Sequence, residues 1–280
     1  MNYIKLIIEL PDDYHEHVIA ELMDLDFYGF EQQDNKLIAF VEKPRFNDTH
    51  RESIEQMFDA LPGASFVELS EVEEENWNAT WEDSIKPQII GPFFVRPTWS
   101  LENPPEGKIL LEIDPKMSFG TGYHPTTRLI LKQLEKIECR DKRILDAGTG
   151  TGILAIAACK LGAKRVIGFD FDPLCEQNAS ENALINNVDS KLDIRLGGFE
   201  QVNHEQPFDL ILANINRNVI LEFLNNMISL LSKNGILCLS GLLDTDEKRI
   251  QDELKKFPVK VTDVRKEEEW IMIQAEKIRA

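Results

Sequence analysis

Arg143-Ile-Leu-Asp146-Ala-Gly148-Thr-Gly150-Thr-Gly152-Ile-Leu154, followed by Arg165-Val-Ile-Gly-Phe-Asp170-Phe-Asp172, reads as a short apolar strand, a glycine turn, a helix and a second apolar strand ending in carboxylates. Glycines at alternate positions allow a sharp turn and let backbone N–H groups approach a ligand with no Cβ in the way. The helix over 153–161 is rich in Ala and Leu and stops at Gly162, as a glycine C-cap does. The stretch is one βαβ unit of an α/β fold that handles an adenosine-like ligand.

Asp170 ends the second strand, where doubly wound folds place a carboxylate to accept hydrogen bonds from ribose hydroxyls. A dinucleotide would need G-x-G-x-x-G. Counted from Gly148 the third position is Ile153, and only the register from Gly150 gives an acceptable Ala155, so NAD ranks second. Asp146, two residues before the first glycine, favours S-adenosylmethionine, because a carboxylate at this strand tip can orient the turn and the ligand's amino-acid moiety and would repel a pyrophosphate. The bland alternative is that both aspartates merely end strands and cap helices.

With 280 residues, 42% of them hydrophobic, the chain can build a real core in one large or two modest domains. No apolar run approaches the roughly 20 residues of a membrane span, and Met1-Asn-Tyr-Ile-Lys leads into an acidic segment without a signal-peptide pattern. A cytoplasmic location and no membrane partner are expected. Cys139, Cys159, Cys175 and Cys238 lack C-x-x-C spacing, and His15 and His17 point to different faces of a helix; no disulfide or metal site is expected, and the cysteines read as small buried hydrophobes. A net charge of −18 argues against extended contact with nucleic acid phosphates and favours a basic partner.

Residues 1–67 alternate strand and helix signals: a strand from Tyr3, a helix over 12–25, a strand over 36–41, a helix over 48–61 broken by Pro62-Gly63, and a strand from Ser65. They fit a small α+β sandwich, ferredoxin-like, with helices on one face of an antiparallel sheet. The acidic stretch 68–88, with Trp77 and Trp81 four apart, reads as a helical linker whose indoles share one side. Residues 89–280 form the nucleotide-binding domain. Loops and edge strands open it around Gly91-Pro92, Pro97 and Pro104-Pro105, and a strand from Ile109 runs into a loop ending in a helix capped near Thr126. Strands and helices then alternate to a closing pair of strands around Val259 and Trp270.

Asn214 ends the buried strand Phe208-Asp-Leu-Ile-Leu-Ala-Asn214, at the edge where open α/β sheets bind ligands, and its amide can hold an amine. Its surroundings, Ala213-Asn214-Ile215-Asn216, lack the Asn-Pro-Pro-Tyr loop used on planar nitrogens, which argues against a DNA adenine or glutamine target. Methyl transfer to an amine is an in-line displacement that mainly needs alignment and a neutral nitrogen. A lysine ammonium has a pKa near 10.4 in water, so the site must help it lose a proton. His124 is a candidate for that transfer; alternatively it pins its own loop.

The elements Phe119-Gly-Thr-Gly-Tyr-His124-Pro-Thr-Thr127, Asp146-Ala-Gly-Thr-Gly-Thr-Gly152, Leu212-Ala-Asn214-Ile215 and Leu239-Ser-Gly-Leu-Leu243 together resemble the bacterial methyltransferases that modify the eleventh protein of the large ribosomal subunit. The first element is distinctive of that family; the glycine motif alone indicates only a class I methyltransferase. The resemblance implies an N-terminal substrate-recognition domain, a flexible linker and a Rossmann-like catalytic domain that methylates lysine side chains and the α-amine of the ribosomal protein. It places S-adenosylmethionine against Thr127, Gly148, Asp170 and Asn214, helped by Thr126, Gly150 and Gly152. Tyr123 stands where a Thr is more usual, and Asn216-Arg217 follows the Ala-Asn-Ile element. We expect a monomer needing no nucleic acid. Two other readings stay open: a small-metabolite methyltransferase whose N-terminal domain is a lid, and a regulatory module that binds the cofactor without transfer.

Overall fold

The computed structural model describes residues 2–11, 14–27, 29–33, 35–60, 65–73, 85–116 and 118–278. The chain forms two compact units, Met1–Ser84 and Ile85–Ala280. The start of the helix expected at residue 12, the Pro62-Gly63 break and the two linker tryptophans lie outside the described residues. No helix among the described residues is long and apolar enough to cross a membrane.

The first unit runs β1 (Asn2–Glu9), α1 (His15–Asp24), β2 (Gly29–Gln33), β3 (Lys36–Glu42), α2 (Asp48–Ala60) and β4 (Ser65–Glu73). Its sheet has the order β2-β3-β1-β4 with every pair antiparallel. Alternate residues of the central strands, Ile4, Leu6 and Ile8 on β1 and Leu37, Ala39 and Val41 on β3, bury against Val18 and Leu22 of α1 and Ile54 and Met57 of α2. Period-two alternation therefore puts both helices on one face. Two expectations change. The edge strand β2 was not foreseen, because Gly29-Phe-Glu-Gln-Gln carries a single large apolar residue. The acidic stretch from residue 68 begins as strand rather than helix, for β4 stays paired with β1 as far as Glu73 against Asn2, so a linker cannot start before residue 74.

In the second unit, β5 (Gln88–Ile90), β6 (Phe93–Pro97) and β7 (Ile109–Ile113) form a small separate sheet. The remaining elements are α3 (Pro125–Leu134), β8 (Arg143–Ala147), α4 (Ile153–Lys160), β9 (Arg165–Asp170), α5 (Pro173–Ile185), β10 (Leu192–Leu196), β11 (Phe208–Asn214), α6 (Arg217–Leu230), β12 (Leu231–Leu243), α7 (Glu247–Leu254), β13 (Val259–Glu267) and β14 (Trp270–Lys277). The seven-stranded sheet is ordered β10-β9-β8-β11-β12-β14-β13. Its first five strands are parallel, and β14 enters antiparallel to both β12 and β13. Ile144, Leu210, Leu212 and Cys238 face one core with α3 and α4, while Leu145, Ile211, Ala213 and Leu239 face another with α6 and α7. From β8 the chain crosses outward to β9 and β10, and from β11 it crosses the other way to β12. The crevice left between β8 and β11 at their carboxyl ends is where such sheets bind ligands.

A buried polar seam fixes one wall of that crevice. Asn178 and Asn182 on α5 and Asn186 at its C-cap recur every four residues and are 1%, 0% and 3% exposed, so they line one face of the helix. Asn186 Oδ1 accepts from Glu112 N at 3.1 Å, and Asn182 Oδ1 accepts from Asp114 N at 2.8 Å while its amide donates to Asp114 O at 3.0 Å. Asn178 donates to Pro115 O at 3.2 Å. The helix thus supplies β7 and the residues after it with the hydrogen bonds a neighbouring strand would otherwise make. Asn182 also reaches Thr151 O at 3.0 Å, tying the seam to the glycine turn. Asn182→Ala leaves several buried backbone groups unpaired and should lower stability by about 2–4 kcal/mol in denaturant unfolding; a loss below about 0.5 kcal/mol would contradict the seam's role.

Candidate active site

The turn after β8 is held in a conformation open to glycine. Gly148, Gly150 and Gly152 have φ of 72°, 55° and 81°. A Cβ on Gly148 would lie 2.4 Å from Ile215 Cγ2, and one on Gly150 would lie 2.3 Å from Phe119 O, so any side chain would collide as well as strain the backbone. The loop from Phe119 is stapled to this turn: Thr151 N donates to Phe119 O at 2.9 Å and Thr151 Oγ1 donates to Gly120 O at 2.7 Å.

A cavity of about 380 Å³ opens at this crevice, a size suited to a nucleoside-sized ligand. Of the residues expected to hold the cofactor, Thr127, Gly148, Gly150, Asp170 and Asn214 line it. Asp170 Oδ2 accepts from Gly150 N at 2.9 Å and Oδ1 accepts from Asp172 N at 3.1 Å. Each carboxylate oxygen keeps lone pairs for sugar hydroxyls. Asn214 Nδ2 donates to Thr127 Oγ1 at 3.2 Å, which fixes the amide so that Oδ1 is buried without a partner among the described residues. A buried acceptor left unpaired is costly and calls for a donor from a ligand.

Three other expected residues sit behind the cavity. Asp146 is 1% exposed, and its Oδ2 accepts from Thr149 Oγ1 at 2.7 Å and from Ala155 N at 3.2 Å. It braces the turn against α4 and is not among the cavity-lining residues. Burial pushes its pKa up to about 7, with the Thr149 and Ala155 hydrogen bonds pulling the other way. Gly152 meets Ala179, where a Cβ would come within 3.2 Å, so it permits close packing of α4 on α5. Thr126 is fully buried and bonds His124.

His124 is the N-cap of α3, its Nδ1 accepting from Thr126 N at 3.3 Å and lying 2.7 Å from Thr126 Oγ1. Its ring packs edge-on against Phe119 at 5.2 Å and Trp270 at 4.7 Å. It is not among the cavity-lining residues. Burial, and then the charge of Arg128, hold its pKa below the ordinary histidine value, so near neutrality it is an uncharged imidazole whose Nδ1 lone pair is taken by the cap. These contacts pin the loop that carries it to the start of α3.

Several lining residues escaped the sequence reading. Phe169, Phe171 and Phe199 wall the cavity. Phe171 directly follows the carboxylate at the strand tip, and Phe199 follows the Gly197-Gly198 pair after β10; both positions sit at carboxyl ends of strands, which was the available signal. Cys175 also lines the cavity and is half-buried, unlike the buried Cys139, Cys159 and Cys238.

A sequence profile described as Ribosomal protein L11 methyltransferase (PrmA) matches residues 4–278. The chain belongs to this family. It is 37% identical over 275 residues to the ribosomal protein L11 methyltransferase of Chlorobaculum parvum, spanning 96% of this chain and 95% of that protein. It is 38% identical over 285 residues to that of Chlorobaculum tepidum, with the same shares. The crystal structure of ribosomal protein L11 methylase from Lactobacillus delbrueckii subsp. bulgaricus matches with a TM-score of 0.65 at 26% identity, covering 69% of this chain and 100% of that one. Like the family, this chain is an S-adenosylmethionine-dependent class I methyltransferase. The glycine cradle, the Asp170 carboxylate and the unpaired Asn214 oxygen fit that cofactor.

Asp146 supplies a pH test of the turn. Its folded pKa lies above the unfolded value near 4, so the native state binds the proton more tightly and stability increases as pH falls through about 7. Relative to Asp146→Asn, the wild type should gain on the order of 2 kcal/mol between about pH 8 and about pH 5.5. Equal pH dependence of the two denaturation midpoints would contradict a buried, titrating Asp146.

Proposed function

We propose that this chain methylates lysine side chains and the N-terminal α-amine of the eleventh protein of the large ribosomal subunit. The observation that carries the reading is Asn214 Oδ1, a buried, unpaired acceptor on the cavity wall, suited to an N–H donor such as an amine. The family membership and the names of the relatives support the substrate.

When bound, S-adenosylmethionine supplies an electrophilic methyl group on a sulfonium. Asp170 offers its carboxylate to the ribose hydroxyls, and the left-handed turn at Gly148 and Gly150 gives the ligand backbone-level access. Thr127 holds the Asn214 amide, and Asn214 Oδ1 accepts from the attacking amine so that the remaining lone pair can be aligned. The apolar walls Phe169, Phe171 and Phe199 exclude water around the nucleoside at the Asp170 end of the cavity. No side chain of the cavity is required as a strong base. Asn214 acts as a positioning acceptor, and His124 is left out of the chemistry.

The first unit serves as the substrate-recognition domain in this reading, and the second as the methyltransferase. Residues 1–84 carry 21 Asp and Glu against 5 Lys and Arg, a net −16 of the chain's −18. That asymmetry suits docking of a basic protein surface and leaves the catalytic unit nearly neutral. A monomer acting in the cytoplasm, with no nucleic acid required, completes the proposal.

The test is transfer from methyl-labelled S-adenosylmethionine to purified ribosomal protein, resolved by site across pH. Only neutral amine reacts, so α-amine labelling should level off above about pH 8 while lysine labelling keeps rising about tenfold per pH unit to at least about pH 9. Labelling of small amines with none on the protein would support the metabolite reading instead. Binding without any transfer would support the regulatory one.

A further inference from the structure

Phe119 stands at the cavity mouth with 53% of its surface exposed. A single exposed apolar side chain means little by itself, but this one is anchored on two sides. Its carbonyl accepts from Thr151 N, the next carbonyl accepts from Thr151 Oγ1, and its ring rests edge-on against the helix-capping His124. An aromatic ring on a backbone fixed by Thr151 is thus set at the cavity opening.

Its position selects what the ring faces. His124 and Thr127 begin α3, and Thr127 holds Asn214, so Phe119 belongs to the Asn214 end of the crevice. Asp170 and Phe171 lie at the other end, because β9 and β11 are separated by β8 in the sheet. A cofactor whose sugar meets Asp170 presents its reacting end toward Asn214, and the incoming amine reaches it past Phe119.

We propose that Phe119 is the specificity wall along which the substrate lysine side chain is laid, and that its ring retains the partly methylated amine for further rounds. This rests on the lysine-methylating reading above. Four methylenes pack on a phenyl face, the ammonium is attracted to it, and each transferred methyl adds apolar surface to the contact. Retention therefore strengthens as methylation proceeds.

The experiment compares wild type, Phe119→Ala, Phe119→Leu and Phe119→Tyr on the full-length ribosomal protein. KM, kcat and the distribution of mono-, di- and trimethyl-lysine are read by mass spectrometry, and affinity for S-adenosylhomocysteine by calorimetry. Phe119→Ala should raise KM about tenfold with kcat changed less than about threefold, and shift products toward monomethyl-lysine. Cofactor-product affinity should stay within about twofold, and Phe119→Tyr should restore the wild-type pattern. If the alanine variant does not fold, Phe119→Leu should still shift the product distribution, since it keeps bulk and loses the ring. Unchanged KM and products, or affinity for S-adenosylhomocysteine falling in step with KM, would overturn the proposal. Wild-type enzyme that methylates no lysine would overturn the underlying function and this assignment together.

Discussion

The structure of the site depends on one buried polar seam, in which asparagine amides of α5 and the hydroxyl and backbone of Thr151 hold two glycine-bearing loops against each other. Without it, β7 would present an unpaired backbone edge to the protein interior, and the loop from Phe119 to His124 would have no fixed relation to the turn after β8. The seam is costly unless every group is paired. Here Asn182 and Asn186 exchange donors and acceptors with the backbone of Asp114 and Glu112, which gives one register between helix and strand.

Behind the turn lies a second device, Asp146. A carboxylate with one oxygen bonded to Thr149 and Ala155 and the other unpaired stores electrostatic strain under the glycines. Asp170 also holds this turn, accepting from Gly150 N, so two aspartates fix the loop. Only the second faces the cavity. The division of labour follows from strand alternation: Asp146 shares the face of Ile144, beneath α4, whereas Asp170 is the final residue of its strand and projects beyond the sheet.

The Rossmann-like half was largely legible because its signals are local. The apolar strands, the alternating glycines and the strand-end positions of Asp170 and Asn214 each follow from spacing along the chain. What spacing does not give is which neighbour of a motif faces the ligand. Thr126 and Gly152 adjoin lining residues and Asp146 lies two before Gly148, yet none of the three lines the cavity; period-two alternation at Asp146 and the His-Pro start of α3 are the clues. The asparagine seam was hidden because polar residues at helical spacing read as a solvent face. In the first unit, β2 lacks apolar alternation, and acidic residues hide the second half of β4, where pairing with β1 outweighs the weak strand propensity of Glu.

The central claim is that a sulfonium nucleoside lies over the glycine turn with its ribose on Asp170. Calorimetric titration of S-adenosylmethionine into wild type and Asp170→Ala tests it most directly. Loss of a charge-assisted hydrogen-bonding carboxylate should weaken affinity by roughly 10- to 100-fold, with the unfolding transition kept. Equal affinity of the two proteins would contradict the account.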